Sequence, residues 1–474
     1  MRYSIFIWAL VIYLFSQLTY SQSLSEKINT LIKKELPHAT VGILIKDAQT
    51  GQIIYTKNAD KLLSPASNIK LFTAAAALYQ LDPGVDFSTT LSQKNQNFYL
   101  TFNGSPSLTI KKFTDLLLNL KKNNIKTING NIILDISHFK APYYPSGISY
   151  DDLGWYYSAP DTAIMLNENA ETYQLISASK PGMLATIKPK TTDPKLKIIN
   201  QVITVNKEQK KQCSLNIEIK SENTIRLFGC MGQMKQPKEI QLALPDPVFL
   251  AKQIITQVLH QENIILKGDI VLGQTPPDAS LIASVSSDNL NQLISHMLKE
   301  SDNLYASSIT RQLAYSLDKE GSLQQGIATL KEILEKYTNL DMTQIELADG
   351  LGSRYNLVTP EQIVLLLTTL YQDKQMFPTF LTALPQAGIS GTLKDRMKKT
   401  ILEHKIYAKT GTMHDVSSLS GYLINQNHNP LIFSIVINGV NKPISVAKSL
   451  EEQILLMLAE NIDKPVPTSE TSQS

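Results

Sequence analysis

The chain has 474 residues, of which 43% are hydrophobic and 18% charged, with a formal net charge of +3. This length exceeds what one hydrophobic core sustains, so two or more domains are expected. Lysine and arginine are scattered without a long basic run, which excludes an electrostatic footprint for nucleic acid, and the composition excludes a collagen-like repeat.

In chain order, Met1-Arg2 is followed by an apolar run from Ile5 to Leu18 and small residues near Ser21. The run is too short to span a bilayer, so residues 1–21 read as a signal peptide cleaved near Ser21/Gln22. The expected location is therefore periplasmic or otherwise exported, with no transmembrane anchor after cleavage. A helix is predicted over Ser25 to Glu35, then a hairpin from Thr40–Ile45 and Gln52–Tyr55 around Asp47–Gly51. The Ala-rich stretch Ile69 to Leu81 predicts a buried helix opened by Ser64-Pro65-Ala66-Ser67-Asn68.

After Pro83-Gly84, residues 87–273 read as short strands and turns, with helices over Leu108–Lys122 and Pro247–Glu262. Cys213 and Cys230 are the two cysteines, and in an exported chain they predict a disulfide closing a short hairpin, with two buried thiols as the alternative. Helices return from Ser287. Tyr407-Ala408-Lys409 then enters strands that continue over Ser418–Asn425, a turn at 427–430, and Leu431–Asn438. Val446, Leu450, Ile454 and Leu458 share one face of a last helix, Ser445–Ile462, expected to pack on the core. The polar tail Asp463–Ser474 is expected to be disordered. The fold class is α/β (α+β), an antiparallel sheet with helices. One domain is formed from 22–86 and 274–462 and carries a long, mostly β insertion over 87–273.

A serine hydroxyl attacks a carbonyl only if a base takes its proton. The seven histidines show neither a G-x-S-x-G elbow nor H-x-x-x-H spacing and are read as isolated. A buried lysine is the other candidate base. In Ser67-Asn68-Ile69-Lys70 the spacing stacks amine over hydroxyl on one helix face. S-x-x-K occurs five times, at Ser67, Ser137, Ser177, Ser316 and Ser445, but only Ser67 heads a strongly apolar helix after a hairpin. Ser301-Asp302-Asn303 offers a hydroxyl and an amide for a proton relay. Its duplicate, Ser287-Asp288-Asn289, is explained by Ser287 acting as a helix N-cap. Lys409-Thr410-Gly411-Thr412 opens the last strands, where a cation and hydroxyls suit a carboxylate and the glycine admits an extended peptide against the backbone.

Together, in this order, the three motifs resemble the penicillin-binding proteins and serine β-lactamases, whose S-x-x-K, S-x-N and K-T-G sets line one cleft. The separation of 234 positions from Ser67 to Ser301 looks like the insertion of the class C, low-molecular-mass D-alanyl-D-alanine carboxypeptidase/endopeptidases, peptidase family S13. Ile128–Asp135 and Asp151–Pro160 are similar to further segments of that family; in the second, Asp152 matches the aspartate facing the amino group of the wall diamino acid. Gly104–Leu108 and Asp349–Asn356 depart from its pattern, the latter by one missing residue in a cleft-wall loop.

The resemblance implies attack by Ser67 with Lys70 as base, proton return through Ser301 and Lys409, and Asn303 in the catalytic set. It places an oxyanion hole at the Ser67 and Thr412 N–H groups, with Lys409, Thr410 and Thr412 on the terminal carboxylate. It implies peptidoglycan peptides ending in D-Ala-D-Ala as partners and β-lactams as covalent inhibitors. It implies no metal or organic cofactor, and it leaves a homodimer open. A serine β-lactamase and a non-catalytic wall-binding or β-lactam-sensing module are the rival readings.

Overall fold

The computed structural model describes residues 23–425 and 428–462. The expected signal peptide, the start of the 427–430 turn and the 463–474 tail lie outside these residues. No helix among the described residues is long and apolar enough to cross a membrane.

Segments before and after the insertion build the main unit, with elements labelled in chain order. Helix α1 (Leu24–Glu35) starts at a capping box in which Ser23 and Glu26 satisfy each other's backbone N–H. Strands β1 (Thr40–Asp47) and β2 (Ile53–Lys57) follow, then α2 (Ile69–Gln80). After the insertion come α3 (Leu290–Lys299), α4 (Asn303–Tyr315), α5 (Leu323–Tyr337) and α6 (Pro360–Gln372). Strands β3 (Ile406–Met413), β4 (Val416–Leu423) and β5 (Leu431–Asn438) precede the closing helix α7 (Ile444–Ile462).

The five strands form one antiparallel sheet in the order β3-β4-β5-β1-β2. Every residue of β4 is buried, because helices cover both faces of the sheet. One face packs on α1 and α7 through residues such as Ile28, Ile32, Leu450 and Ile454, the contact expected of the last helix. The other packs on α2 and α3 to α6. Helix α2 is wrapped by neighbours on all sides, and its run Ala74 to Ala77 keeps the chains around it close.

The insertion has its own core and three sheets of three or more strands. In the largest, Asn97–Phe102, Thr89–Lys94 and Ser280–Val285 are neighbours. Strand 280–285 thus pairs with the strand that opens the insertion, so the β-rich unit extends past residue 273, where its end was expected. Cys213 and Cys230 are joined as a disulfide beside the antiparallel pair Leu215–Ile219 and Thr224–Gly232, which agrees with the predicted hairpin closure.

Candidate active site

Ser67 lies in a 3-10 turn, Ala66–Asn68, that runs directly into α2. Ala66 holds a left-handed φ of +48°, which turns the chain sharply enough to leave the Ser67 hydroxyl half-exposed while its neighbours are buried. The turn is seated on β4: Ser418 Oγ donates to Pro65 O at 2.6 Å and accepts from Asn68 Nδ2 at 2.5 Å.

One helical turn on, Lys70 is fully buried. Its Nζ lies 3.0 Å from Ser67 Oγ, 2.7 Å from Asn303 Oδ1 and 2.7 Å from Leu351 O. Burial pushes the amine down to about 7, against the opposing pull of Asp302 and Asp349. Asn303 Nδ2 donates to Tyr157 O at 2.7 Å, so the amide is oriented with its oxygen towards the lysine.

Ser301 sits between α3 and α4 with φ +60°, and Asp302 caps α4 by accepting from Leu304 N and Tyr305 N. Ser301 Oγ accepts from Lys409 Nζ at 2.8 Å, and that amine also donates to Thr410 O at 2.8 Å. Lys409 is fully buried, and burial followed by repulsion from Lys70 holds it well below the usual lysine range. Thr410 Oγ1 donates to Thr392 Oγ1 at 2.8 Å, and the Thr412 side chain is exposed. These motifs therefore meet: Ser67, Ser301, Asn303, Thr410 and Thr412 line one cleft of about 850 Å³, with Asp152 on the same wall system. Asp152 accepts from the Tyr157 hydroxyl at 2.9 Å.

The decoys fall elsewhere. Ser137 Oγ donates to Asp135, Ser177 Oγ to Met234 O and Ser316 Oγ to Leu313 O, while Ser445 lies in the first turn of α7.

One expectation is corrected. Ser287 is not the cap of α3: that role belongs to Asn289, whose side chain accepts from Gln292 N, while the Ser287 hydroxyl accepts from Phe87 N. Gly411 also meets a packing need. A Cβ there would lie 2.2 Å from Ser418 Oγ and 2.6 Å from Pro65 O, so the glycine is needed for the serine turn to sit against the sheet.

Several residues outside the three catalytic motifs also build the site. Asp349 Oδ1 gathers the N–H groups of Leu351, Gly352 and Ser353 and the Asn356 amide, curling the loop that delivers Leu351 O to Lys70. Gly352, at φ +99°, is pressed on the serine turn, where a Cβ would lie 2.1 Å from Ala66 O. The shortened loop supplies Leu351, Gly352, Ser353 and Arg354 to the cleft lining. Arg396 and Lys448 also reach the cleft beside Thr410 and Thr412, although Arg396 is paired with Glu451 and Glu452.

The model of the D-Ala-D-Ala carboxypeptidase 3 (S13) family matches residues 24–461. A D-alanyl-D-alanine carboxypeptidase DacB of Haemophilus influenzae is 30% identical over 424 residues, covering 87% of this chain and 88% of that protein. A D-alanyl-D-alanine carboxypeptidase of Actinomadura sp. is 27% identical, covering 94% and 86%. The solved structure of penicillin binding protein 4 (dacB) from Haemophilus influenzae superposes with a TM-score of 0.83 at 28% identity, covering 92% of this chain and 99% of that one. A family match across nearly all the described residues, on a cleft that unites the three motifs, places the chain in the D-Ala-D-Ala carboxypeptidase 3 (S13) family, and it is a serine peptidase with the β-lactamase/transpeptidase-like fold.

Proposed function

We propose that the chain is a D-alanyl-D-alanine carboxypeptidase that also opens peptide cross-links of peptidoglycan, through an acyl-enzyme on Ser67. The observation that carries this reading is the environment of Lys70 Nζ. A neutral amine has two protons and one lone pair. Asn303 Oδ1 and Leu351 O are carbonyl oxygens that can only accept, so they take both protons. The lone pair is then left facing the third neighbour, the Ser67 hydroxyl.

In this mechanism the Ser67 proton passes to Lys70 as Oγ attacks the penultimate D-alanine carbonyl. Backbone N–H groups of Ser67 and Thr412 hold the oxyanion. Lys409 and Ser301, already hydrogen-bonded, pass a proton to the leaving amine. The hydroxyls of Thr410 and Thr412 receive the terminal carboxylate, with Thr392 behind them and Lys448 beside them. Asp152, at the cleft wall, faces the amine of the diamino acid. Water then releases the acyl group.

Penicillin enters the same route: its ring opens on Ser67, and the leaving group stays attached and obstructs water. Structural kinship to a penicillin binding protein 4 (dacB) solved with a β-lactam supports that reading. Incubation with a fluorescent penicillin and with a pentapeptide ending in D-Ala-D-Ala tests it. A stable adduct and release of D-alanine are expected; rapid loss of the label would mark a β-lactamase, and an adduct without D-alanine a sensor. Mass analysis of digested wall fragments reads out cross-link cleavage.

A further inference from the structure

A smaller cavity of about 280 Å³ adjoins the cleft and shares Tyr156, Tyr157, Glu300, Ser301 and Asn303 with it. At its base, donor atoms of Glu168, His296 and Asp302 lie within 4.8 Å of one another. His296 Nε2 is 3.4 Å from Glu168 Oε1 and 3.5 Å from Asp302 Oδ2. Zinc–ligand bonds of ~2.0–2.2 Å arranged tetrahedrally put neighbouring donors ~3.3–3.6 Å apart, and both distances match that edge.

His296 Nε2 is shielded from solvent and has no hydrogen-bond partner among the described residues. The imidazole, a third exposed as a side chain, faces both carboxylates at ion-pair distance, so the three donors converge on one point. Each donor is also held from behind. The His296 ring stacks on Tyr305 at 4.1 Å. Asp302 spends Oδ1 on the cap of α4, which turns Oδ2 towards the histidine. Glu168 rides on a turn fixed by Asn169, whose buried amide bonds Leu166 N, Pro160 O and Ile164 O.

We propose that Glu168, His296 and Asp302 bind one divalent cation of the zinc class, with a water from the adjoining cavity as fourth ligand. Glu168 belongs to the insertion, His296 to α3, and Asp302 to the segment between Ser301 and Asn303. The ion therefore clamps the inserted unit to the part of the main unit that carries the proton relay. One imidazole with two carboxylates favours zinc or manganese over magnesium, which prefers oxygen ligands and keeps its waters.

The test is titration of the tag-free, chelator-treated chain with zinc chloride, followed by calorimetry, by metal content after desalting and by melting temperature. One zinc per chain is expected, with a melting temperature that rises with zinc concentration, as it must for a ligand of the folded state. Glu168→Gln and His296→Phe, the latter keeping the stack on Tyr305, should each weaken binding by more than the ~10-fold that loss of an outer-sphere partner causes. Cobalt(II) should give a visible absorption band in the wild type and not in either variant. The proposal is overturned if the wild type takes up no zinc, or if uptake is unchanged in Glu168→Gln, whose surface turn does not depend on the carboxylate for folding.

Discussion

Lys70 Nζ lies 3.0 Å from Ser67 Oγ, and its hydrogen bonds all go to uncharged oxygens. Carboxylates act on it only at a distance, through Asp302 and Asp349. Ser67→Ala should therefore abolish labelling by a fluorescent penicillin, while alanine at Ser137, Ser177, Ser316 or Ser445 leaves it intact. Lys70→Ala should slow acylation by at least ~10², the lower range for a positioned general base. Normal acylation in that variant would remove the base assignment.

The pH dependence has a fixed sign. Burial lowers the Lys70 amine to about 7, and only the unprotonated amine can accept the serine proton. The acylation rate should climb as pH rises through about 7 and level off above it. A stopped-flow profile that is flat or falling across that window contradicts the mechanism.

Asn303→Asp places a carboxylate where a neutral oxygen now sits 2.7 Å from Lys70 Nζ. An opposite charge at that range favours the protonated amine, by ~1–3 pH units. The rising limb of the profile should move upwards by that amount, so acylation at neutral pH falls about tenfold or more while the alkaline plateau is better preserved. An unmoved limb would mean that Asn303 does not face the base.

Arg311 of α4 is completely buried and pairs with Asp161 of the insertion at 3.0 Å, while also donating to Lys140 O, Gly321 O and Pro142 O. Ser307 joins the same carboxylate. Removing one member of a buried pair costs about 3–5 kcal/mol, because the other charge is left without its partner. Arg311→Met should lower the urea midpoint sharply, and the double variant Arg311→Met/Asp161→Asn should recover part of the loss. Equal loss in the single and double variants would show that the carboxylate is not the source of the penalty.

The three motifs could be read from the sequence because each needs particular side chains, and the helix that Ser67 heads is apolar enough to be recognised from composition. What escaped reading acts through the backbone or across long separations. Leu351 O reaches Lys70 and Tyr157 O orients Asn303, and a carbonyl contact leaves no trace in residue type. Ser287 passed for a cap because serine suits that position, yet its hydroxyl is taken by Phe87 N, two hundred positions earlier. The strand Ser280–Val285 was missed because it pairs at a sheet edge with much of its length exposed, so it lacks the alternation that marks a half-buried strand. Nothing in the sequence around His296 points to Glu168, which comes to it from a distant part of the chain.

Strand β1 is paired along its whole length with β5, so residues near the start of the protein wait for residues near its end. A ribosome releasing the chain from its N-terminus would deliver Ser67 long before β4 and β5 exist to support it. Ser418, which seats the serine turn, is also among the late arrivals. The nucleophile is thus delivered early but armed last, and a polypeptide interrupted before Leu431 should carry every residue of the S-x-x-K helix and yet remain chemically inert.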